Sequence, residues 1–376
     1  MDLTFNSQEE AFRAEARAWL SANVPHDLPS GDTREGFALH LDWERKLFDD
    51  RWAAVSWPRE YGGREASLIE WLIFEEEYYR AGGPQRVTQN GIFLLAPTVF
   101  EFGTTAQKDH ILPRMAAAED LWCQGWSEPN AGSDLAGIKS TAQRDEGGAG
   151  WRLTGQKTWT TRGAFCTHLF GLFRTDPEAE RHRGMSYFLV PLDAEGVTVR
   201  GFGRLDGDEG FAEVFFEDVF VPDADVLGEV NKGWNVAMAT TGSERGLTLR
   251  SPGRFMATAA RLVELCQSRA VDESLSDEVV ACWMDAEAYR WQTYATVARL
   301  MDGATPGAES SLTKLFWSEL DVRLHETALR LLGPDAEVDG PWMKGFQFAL
   351  AGPIYAGTNE IQRNVVGERV LGLPRA

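Results

Sequence analysis

Gly147-Gly148-Ala149-Gly150, followed by Trp151-Arg152-Leu153-Thr154-Gly155-Gln156-Lys157-Thr158-Trp159-Thr160-Thr161, is the stretch on which the fold class turns. The glycines signal a turn, and the residues after them roughly alternate between apolar and polar. That period belongs to a half-buried strand, so a hairpin arm is expected here. Three later runs read the same way: Ser186 to Val190, closed by Pro191; Val197-Thr198-Val199; and Glu213 to Val221. All are rich in β-branched and aromatic residues. A small antiparallel sheet domain is expected over residues 117–225.

The flanks carry a different period. Ser7-Gln8-Glu9-Glu10 has the form of a capping box, and Phe12, Ala16, Trp19 and Leu20 follow at helical spacing. A Pro/Gly-rich break covers 24–36. Helices are expected from Phe37 to near Trp52, from Ser67 to Tyr79 and from Ile92 to Phe102. After Gly233 the helical period returns over 234–268, 277–302, 308–332 and 343–350, with a last helix after Gly357. The order is helices, sheet, helices. The chain therefore reads as α+β, with an N-terminal helical domain (1–116), a middle β domain (117–225) and a C-terminal four-helix-bundle-like domain (226–376).

Composition narrows the function. The 376 residues carry a formal charge of −20, which repels phosphate backbones and argues against nucleic-acid binding. It also offers no long-range pull on an anionic ligand, so any grip on one must be local. The four cysteines, Cys123, Cys166, Cys266 and Cys282, form no CxxC pair and have no His at metal spacing. Free thiols in a reducing compartment are expected, and no metal site. The start lacks a basic segment followed by an apolar one, and no run reaches the roughly 18 apolar residues of a membrane span. A cytoplasmic protein is the expectation.

A set of short motifs then runs through the chain in order. Gly103-Thr104 precedes Gln107-Lys108 and Leu112-Pro113. Trp126-Ser127-Glu128-Pro129-Asn130-Ala131-Gly132-Ser133-Asp134 follows, then Gly155 to Thr161, then FAEVFFEDVFVP at Phe211 to Pro222. GEVNKGW at Gly228 to Trp234 and YAGTNEIQR at Tyr355 to Arg363 complete the set. Together they resemble the acyl-CoA dehydrogenases, flavoproteins that desaturate a CoA thioester, and the resemblance covers essentially the whole chain. The 126–134 stretch looks like their TEPxAGSD signature with Ser for Thr. The 155–161 stretch is similar to their GxKxWIT strand.

The resemblance implies FAD as cofactor, an acyl-CoA substrate and an electron-transfer flavoprotein or similar acceptor. It places Trp126 and Ser127 along the pyrimidine side of the flavin and Ser133 near the phosphates. Trp159 would lie against the ring, Thr161 near N5, and Thr358 and Glu360 near the dinucleotide. Gly132 and Ala131 allow close backbone approach. Without the resemblance, the 126–134 stretch is simply a polar strand-to-loop turn, and Trp159 a core tryptophan beside a β-forming threonine.

Such a reaction needs a carboxylate close to the substrate Cα. Many family members carry it in YEGT near the C-terminus, and there this chain has Ala356. A branch resembling the isovaleryl-CoA and long-chain dehydrogenases carries the base on an earlier helix. Thr241-Gly242-Ser243-Glu244-Arg245-Gly246, downstream of Gly233-Trp234, matches that segment. Glu244 is thus the expected base, its plain alternative being a solvated helix residue. Arg245, Ser133, Ala356 and Gly357 join it on the substrate side, and the Ala356 backbone N–H keeps its donor for the thioester carbonyl.

Two cofactor elements of the family are missing. Its RxQFG stretch is replaced by Cys266-Gln267-Ser268-Arg269-Ala270, and its QxxGG by Arg330-Leu331-Leu332-Gly333-Pro334. Arg330 could meet a phosphate or sit at a solvated helix end. The assembly implied is a homotetramer or an α2β2 heterotetramer with a related subunit. In the second case the pattern resembles actinobacterial steroid side-chain dehydrogenases, and a bulky, branched or steroid acyl-CoA is the expected substrate. Other flavin chemistry on the same fold (monooxygenase or nitroalkane-type oxidase), or a non-catalytic subunit, are the competing readings.

Overall fold

The computed structural model describes residues 4–245, 251–304 and 307–374, without the side chains of 243–245. These residues form two compact units that cut across the order of the chain. The first takes the stretches through His26, Glu65–Pro84 and Arg245 onward. The second takes Asp27–Arg64 and Gln85–Glu244.

The first unit is helical. Helix α1 (Ser7–Asn23) starts at an Asn6 cap, whose Oδ1 accepts from the Glu9 amide at 2.9 Å while Glu9 accepts from the Asn6 amide at 2.8 Å. The capping box thus lies one residue before the Ser7–Glu10 box read from the sequence, because Asn caps as well as Ser and Glu9 stands three places after it. Helix α3 (Leu68–Arg80) is capped in the same way by Ser67 and Glu70. Trp71, Leu72, Ile73, Phe74 and Tyr78 of α3 are all buried.

The expected helical run over 234–268 is two helices. Helix α6 is described over Gly233–Arg245. Ser251 is not helical, and α7 (Pro252–Gln267) begins anew there, with the Ser251 side chain accepting from the Gly253 amide and Pro252, which cannot donate within a helix, at a first position. Helices α8 (Glu273–Met301) and α9 (Ser310–Leu332) pack with α7 around Phe255, Leu262, Cys282, Tyr289, Trp317 and Leu324. Short helices α10 (Pro341–Ala349) and α11 (Asn359–Val365) complete the unit.

Helix α7 approaches α3 through Gly253. A Cβ there would stand 2.6 Å from the Glu75 carbonyl oxygen and 2.9 Å from the Glu76 Cα, both backbone atoms that cannot rotate away. Gly253→Ala should therefore cost about 1–3 kcal/mol through overpacking, outweighing the gain in helix propensity, and lower the thermal midpoint.

The second unit holds the sheet. Strands β3 (Gly150–Thr161) and β7 (Phe211–Pro222) form its long antiparallel centre. Strand β6 (Val197–Phe202) adds to β7, and β2 (Thr141–Arg144) to β3. Strands β4 (His168–Arg174), β5 (Met185–Pro191) and β8 (Val226–Leu227) extend it antiparallel to one another. The expected antiparallel sheet is mixed at one place. Strand β1 (Trp122–Gly125) runs parallel to β4, which also meets β2 in parallel at Thr141 and Arg174. Trp151, Leu153, Phe173, Phe188, Val214 and Phe216 form the core on one face. Helices α2 (Arg34–Asp49), α4 (Ala96–Phe102), α5 (Thr105–Ala116) and α6 belong to the same unit. No described helix is long and apolar enough to cross a membrane.

Candidate flavin and substrate site

Strand β1 leads directly into the 126–134 loop, and a buried ion pair fixes that loop to the sheet. Glu128 and Ala131 exchange backbone hydrogen bonds at 2.9 and 3.0 Å, closing a tight turn over Pro129-Asn130. The Glu128 carboxylate accepts from the Lys139 amide (2.6 Å), the Ser140 amide (2.9 Å) and Lys157 Nζ (2.8 Å). Lys157 is fully buried on β3, donates also to the Leu172 carbonyl at 2.7 Å and lies 4.8 Å from the Phe173 ring centre. Burial pushes the Lys157 ammonium down to about 8, against the pull of Glu128. Burial also raises Glu128, but the Lys157 charge and the donors around it prevail and hold it below the usual carboxylate range. The Thr158 amide donates to the Ser127 carbonyl at 2.9 Å. Neither Glu128 nor Lys157 stood among the expected site residues. The signal was present in an acid and a lysine, one in each of two motifs.

Beyond Lys157 the strand departs from regular pairing. Its register against β7 shifts between Lys157 and Thr160, and Trp159 has φ 57°. A left-handed non-glycine residue costs about 1–2 kcal/mol. Trp159 is not the core residue that β alternation implies. It is 61% exposed, in T-shaped contact with the rings of Phe202 and Phe211 at centroid distances of 5.3 and 5.6 Å. Thr160 beside it is fully buried and Thr161 half-buried. A strained turn that turns a tryptophan outward makes a flat platform.

The neighbouring polar atoms are consistent with a planar polar ligand. Trp126 is buried and its indole N–H has no hydrogen-bond partner, nor have Gln124 Nε2 and Thr160 Oγ1. Buried donors without partners are uncommon in folded proteins and call for an explanation. Gln124 was not read from the sequence, since nothing in its local pattern marks it. Ser127 is half-buried, while Gly132 and Ser133 are exposed. A Cβ on Gly132 would meet no described atom within 4 Å. These residues fit an isoalloxazine ring with its hydrogen-bonding edge.

Helix α6 is tied to the sheet. A Cβ on Gly233 would stand 2.6 Å from the Ser186 carbonyl carbon, and the Asn231 amide donates to Ser186 Oγ at 2.8 Å. Further along, Thr240 shares a 2.8 Å hydrogen bond with Thr98 and lies 3.3 Å from the Tyr187 hydroxyl. Gly242 follows, and a Cβ there would again meet nothing within 4 Å. Glu244 lies in the last described turn of the helix; its side chain, like that of Arg245, lies outside the described residues.

The remaining expected residues belong to the helical unit. Ala356 and Gly357 are consecutive left-handed residues with φ 57° and 80°. Gln362 Nε2 donates to both their carbonyls, at 3.0 and 3.2 Å. Thr358 caps α11 by accepting from the Ile361 amide. Glu360 is exposed, its carboxyl held low by its own backbone amide and by the Thr358 hydroxyl. Arg330 pairs with Glu278 on an exposed helix surface. Arg269 donates to the Leu332 carbonyl (3.4 Å) and pairs with Asp335 (2.8 Å). The segment in place of RxQFG is thus fastened to the segment in place of QxxGG.

Comparison with known proteins agrees with this layout. The acyl-CoA dehydrogenase N-terminal domain matches residues 6–119, the middle domain 123–219 and the C-terminal domain 231–371. Acyl-CoA dehydrogenase IpdE1 of Mycolicibacterium smegmatis is 38% identical, over 97% of this chain and 98% of its own length. Its counterpart in Mycobacterium tuberculosis is 39% identical over the same shares. Among solved structures, the Tcur3481–Tcur3483 steroid ACAD superposes with TM-score 0.89 at 26% identity, covering all of both chains. The ChsE4–ChsE5 complex of Mycobacterium tuberculosis does so with TM-score 0.85 at 29% identity, also covering all of both chains. With its three domains matched in order from end to end, this chain belongs to the acyl-CoA dehydrogenase family.

Proposed function

We propose that Glu244 is the base with which this flavin-dependent acyl-CoA dehydrogenase removes the α-proton of its thioester substrate. Two observations carry this: the turn at Ala356 offers no carboxylate, and an acidic residue, Glu244, stands on the anchored helix α6.

FAD, when bound, supplies the acceptor for the β-hydride. Trp159 stacks against it, Trp126, Ser127 and Thr161 offer hydrogen bonds, and Gly132 and Ser133 leave room and a hydroxyl for the phosphates. Thr358 and Glu360 serve the dinucleotide. Ser133, Arg245, Ala356 and Gly357 contact the substrate, the Ala356 N–H donating to the thioester carbonyl.

The substrate is a bulky acyl-CoA of the steroid side-chain type. Support comes from the steroid ACAD among the similar structures and from the absence of any described atom within 4 Å of a Cβ on Gly242. Gly242→Ala should then separate two effects. Helix propensity predicts a gain of up to about 1 kcal/mol in stability, while the added methyl enters the acyl space and lowers turnover of a steroid thioester more than of a short acyl-CoA. Thermal unfolding and steady-state rates on both substrates check this.

Assembly with a related subunit, giving an α2β2 heterotetramer, is the favoured quaternary state. Two similar structures pair two different chains. The fastening of 266–273 to 332–335 by Arg269 also leaves those segments occupied with each other. The electron acceptor is an electron-transfer flavoprotein or a protein like it, and the location cytoplasmic. Anaerobic titration against acyl-CoAs, from short chains to steroid thioesters, tests the function directly. Bleaching of the flavin by none of them would overturn it.

A further inference from the structure

Strand β3 closes on a second strained residue. Arg162 follows Thr161 with φ 56°, so Thr160 and Thr161 are bracketed by two left-handed non-glycine residues. Arginine has no side-chain preference for that conformation, and something must hold it there. The holding group is Asp32. Arg162 is 4% exposed and Asp32 5%, and the Arg162 Nε donates to Asp32 Oδ1 at 2.6 Å.

The rest of Arg162 is equally constrained. Its amide donates to the Gly210 carbonyl at 2.9 Å and its guanidinium to the Arg86 carbonyl at 3.4 Å. The second oxygen of Asp32 takes Arg204, whose guanidinium also pairs with Asp206 at 2.7 Å and lies 3.7 Å from Asp208. One buried carboxylate thus ties together the 27–33 segment, the end of β3 and the 203–210 loop. The Arg86 carbonyl adds a further anchor.

We propose that Asp32 and Arg162 are positioning residues for the flavin, fixing the end of β3 so that Trp159 and Thr161 are presented to the ring. This rests on the FAD reading above. The argument is geometric. Trp159 is 61% exposed, with T-shaped ring contacts to Phe202 and Phe211, so its orientation depends on the backbone on both sides. Lys157 anchors the side before it. Arg162 anchors the side after it, and a fork held at two points by a carboxylate and a carbonyl fixes direction as well as distance.

The test uses the full chain loaded with FAD. Arg162→Lys keeps the charge but loses the fork, and Asp32→Asn keeps the shape but loses the charge. Gly253→Ala, in the helical unit, serves as a variant of lowered stability that does not touch the strand. Both positioning variants are expected to keep FAD but show a shifted visible flavin band. Their reduction by saturating acyl-CoA should be about tenfold or more slower, with KM little changed, as misplacement of a reacting group predicts. Gly253→Ala is expected to lower the thermal midpoint and leave the flavin band and the rate as they were. Arg162→Lys and Asp32→Asn with wild-type bands and rates, whatever their thermal midpoints, would overturn the proposal. If Asp32→Asn does not fold, Arg162→Lys decides alone by the same two readouts. A wild-type chain that takes up no FAD would instead overturn the cofactor reading, and this proposal with it.

Discussion

Glu244→Gln is expected to slow flavin bleaching by acyl-CoA about a thousandfold or more while FAD stays bound. General base catalysis contributes about 10²–10⁴ in rate, and glutamine keeps the size and polarity of the side chain without its basicity. The helix that carries Glu244 is fixed by Gly233 against Ser186 and by Thr240 against Thr98, so the substitution leaves its path unchanged. Binding and chemistry therefore separate cleanly. The absorbance of bound FAD reports the first, and stopped-flow reduction reports the second. A variant that keeps most of its reduction rate would place the base elsewhere. Adding Ala356→Glu to Glu244→Gln asks where. Position 356 has φ 57°, a conformation that costs a glutamate no more than the alanine already there, but it is buried, so the thermal midpoint of the double variant is read beside its rate. Partial recovery of the rate is the expected outcome.

How far such a site can be read from sequence depends on what the residues must satisfy. The helices were legible because caps and apolar spacing are local properties. Even so, the first box was read one residue late, since Asn6 and Ser7 are both good caps. The long strands β3 and β7 were legible from alternation and β-branching, and β5, buried almost throughout, as an apolar run closed by Pro191. Strand β4 is just as buried, but its run is broken by Gly171 and closed by no proline, so neither signal marks it. The parallel contact of β1 with β4 joins residues distant in sequence and leaves no local mark. At the site, the family motifs located Trp126, Ser127 and Trp159, but only the structure gives the exposure and the φ of Trp159. Gln124 and Asp32 were invisible for a related reason. One is marked by a missing partner and the other by partners 130 and 172 residues away.

The ion pair beneath the site carries the largest stability effect expected of a single change. Lys157→Met leaves the Glu128 carboxylate buried with two backbone amides but no countercharge, and Glu128→Gln leaves a buried ammonium facing a neutral amide. Breaking a buried pair by removing one partner typically costs about 3–5 kcal/mol, and each variant should lose stability on that scale. The double variant should lose less than the sum, because neither charge is then left alone. The pH dependence supplies an independent check. Lys157 is held down to about 8, below its unfolded value, so the unfolded chain binds more protons between those two values. Wild-type stability, measured against Lys157→Met, should therefore rise as pH climbs through that interval. Glu128 is held low, so its contribution is present above the usual carboxylate range and is lost as pH falls through its lowered value. In acid, then, the gap between wild type and Lys157→Met should narrow, since the stranded carboxylate of the variant becomes neutral. Denaturant unfolding of the three variants across pH measures both slopes. Additive losses with a pH-independent gap would mean that the pair is not coupled. The 126–134 loop would then be held by the backbone turn at Glu128 and Ala131 alone.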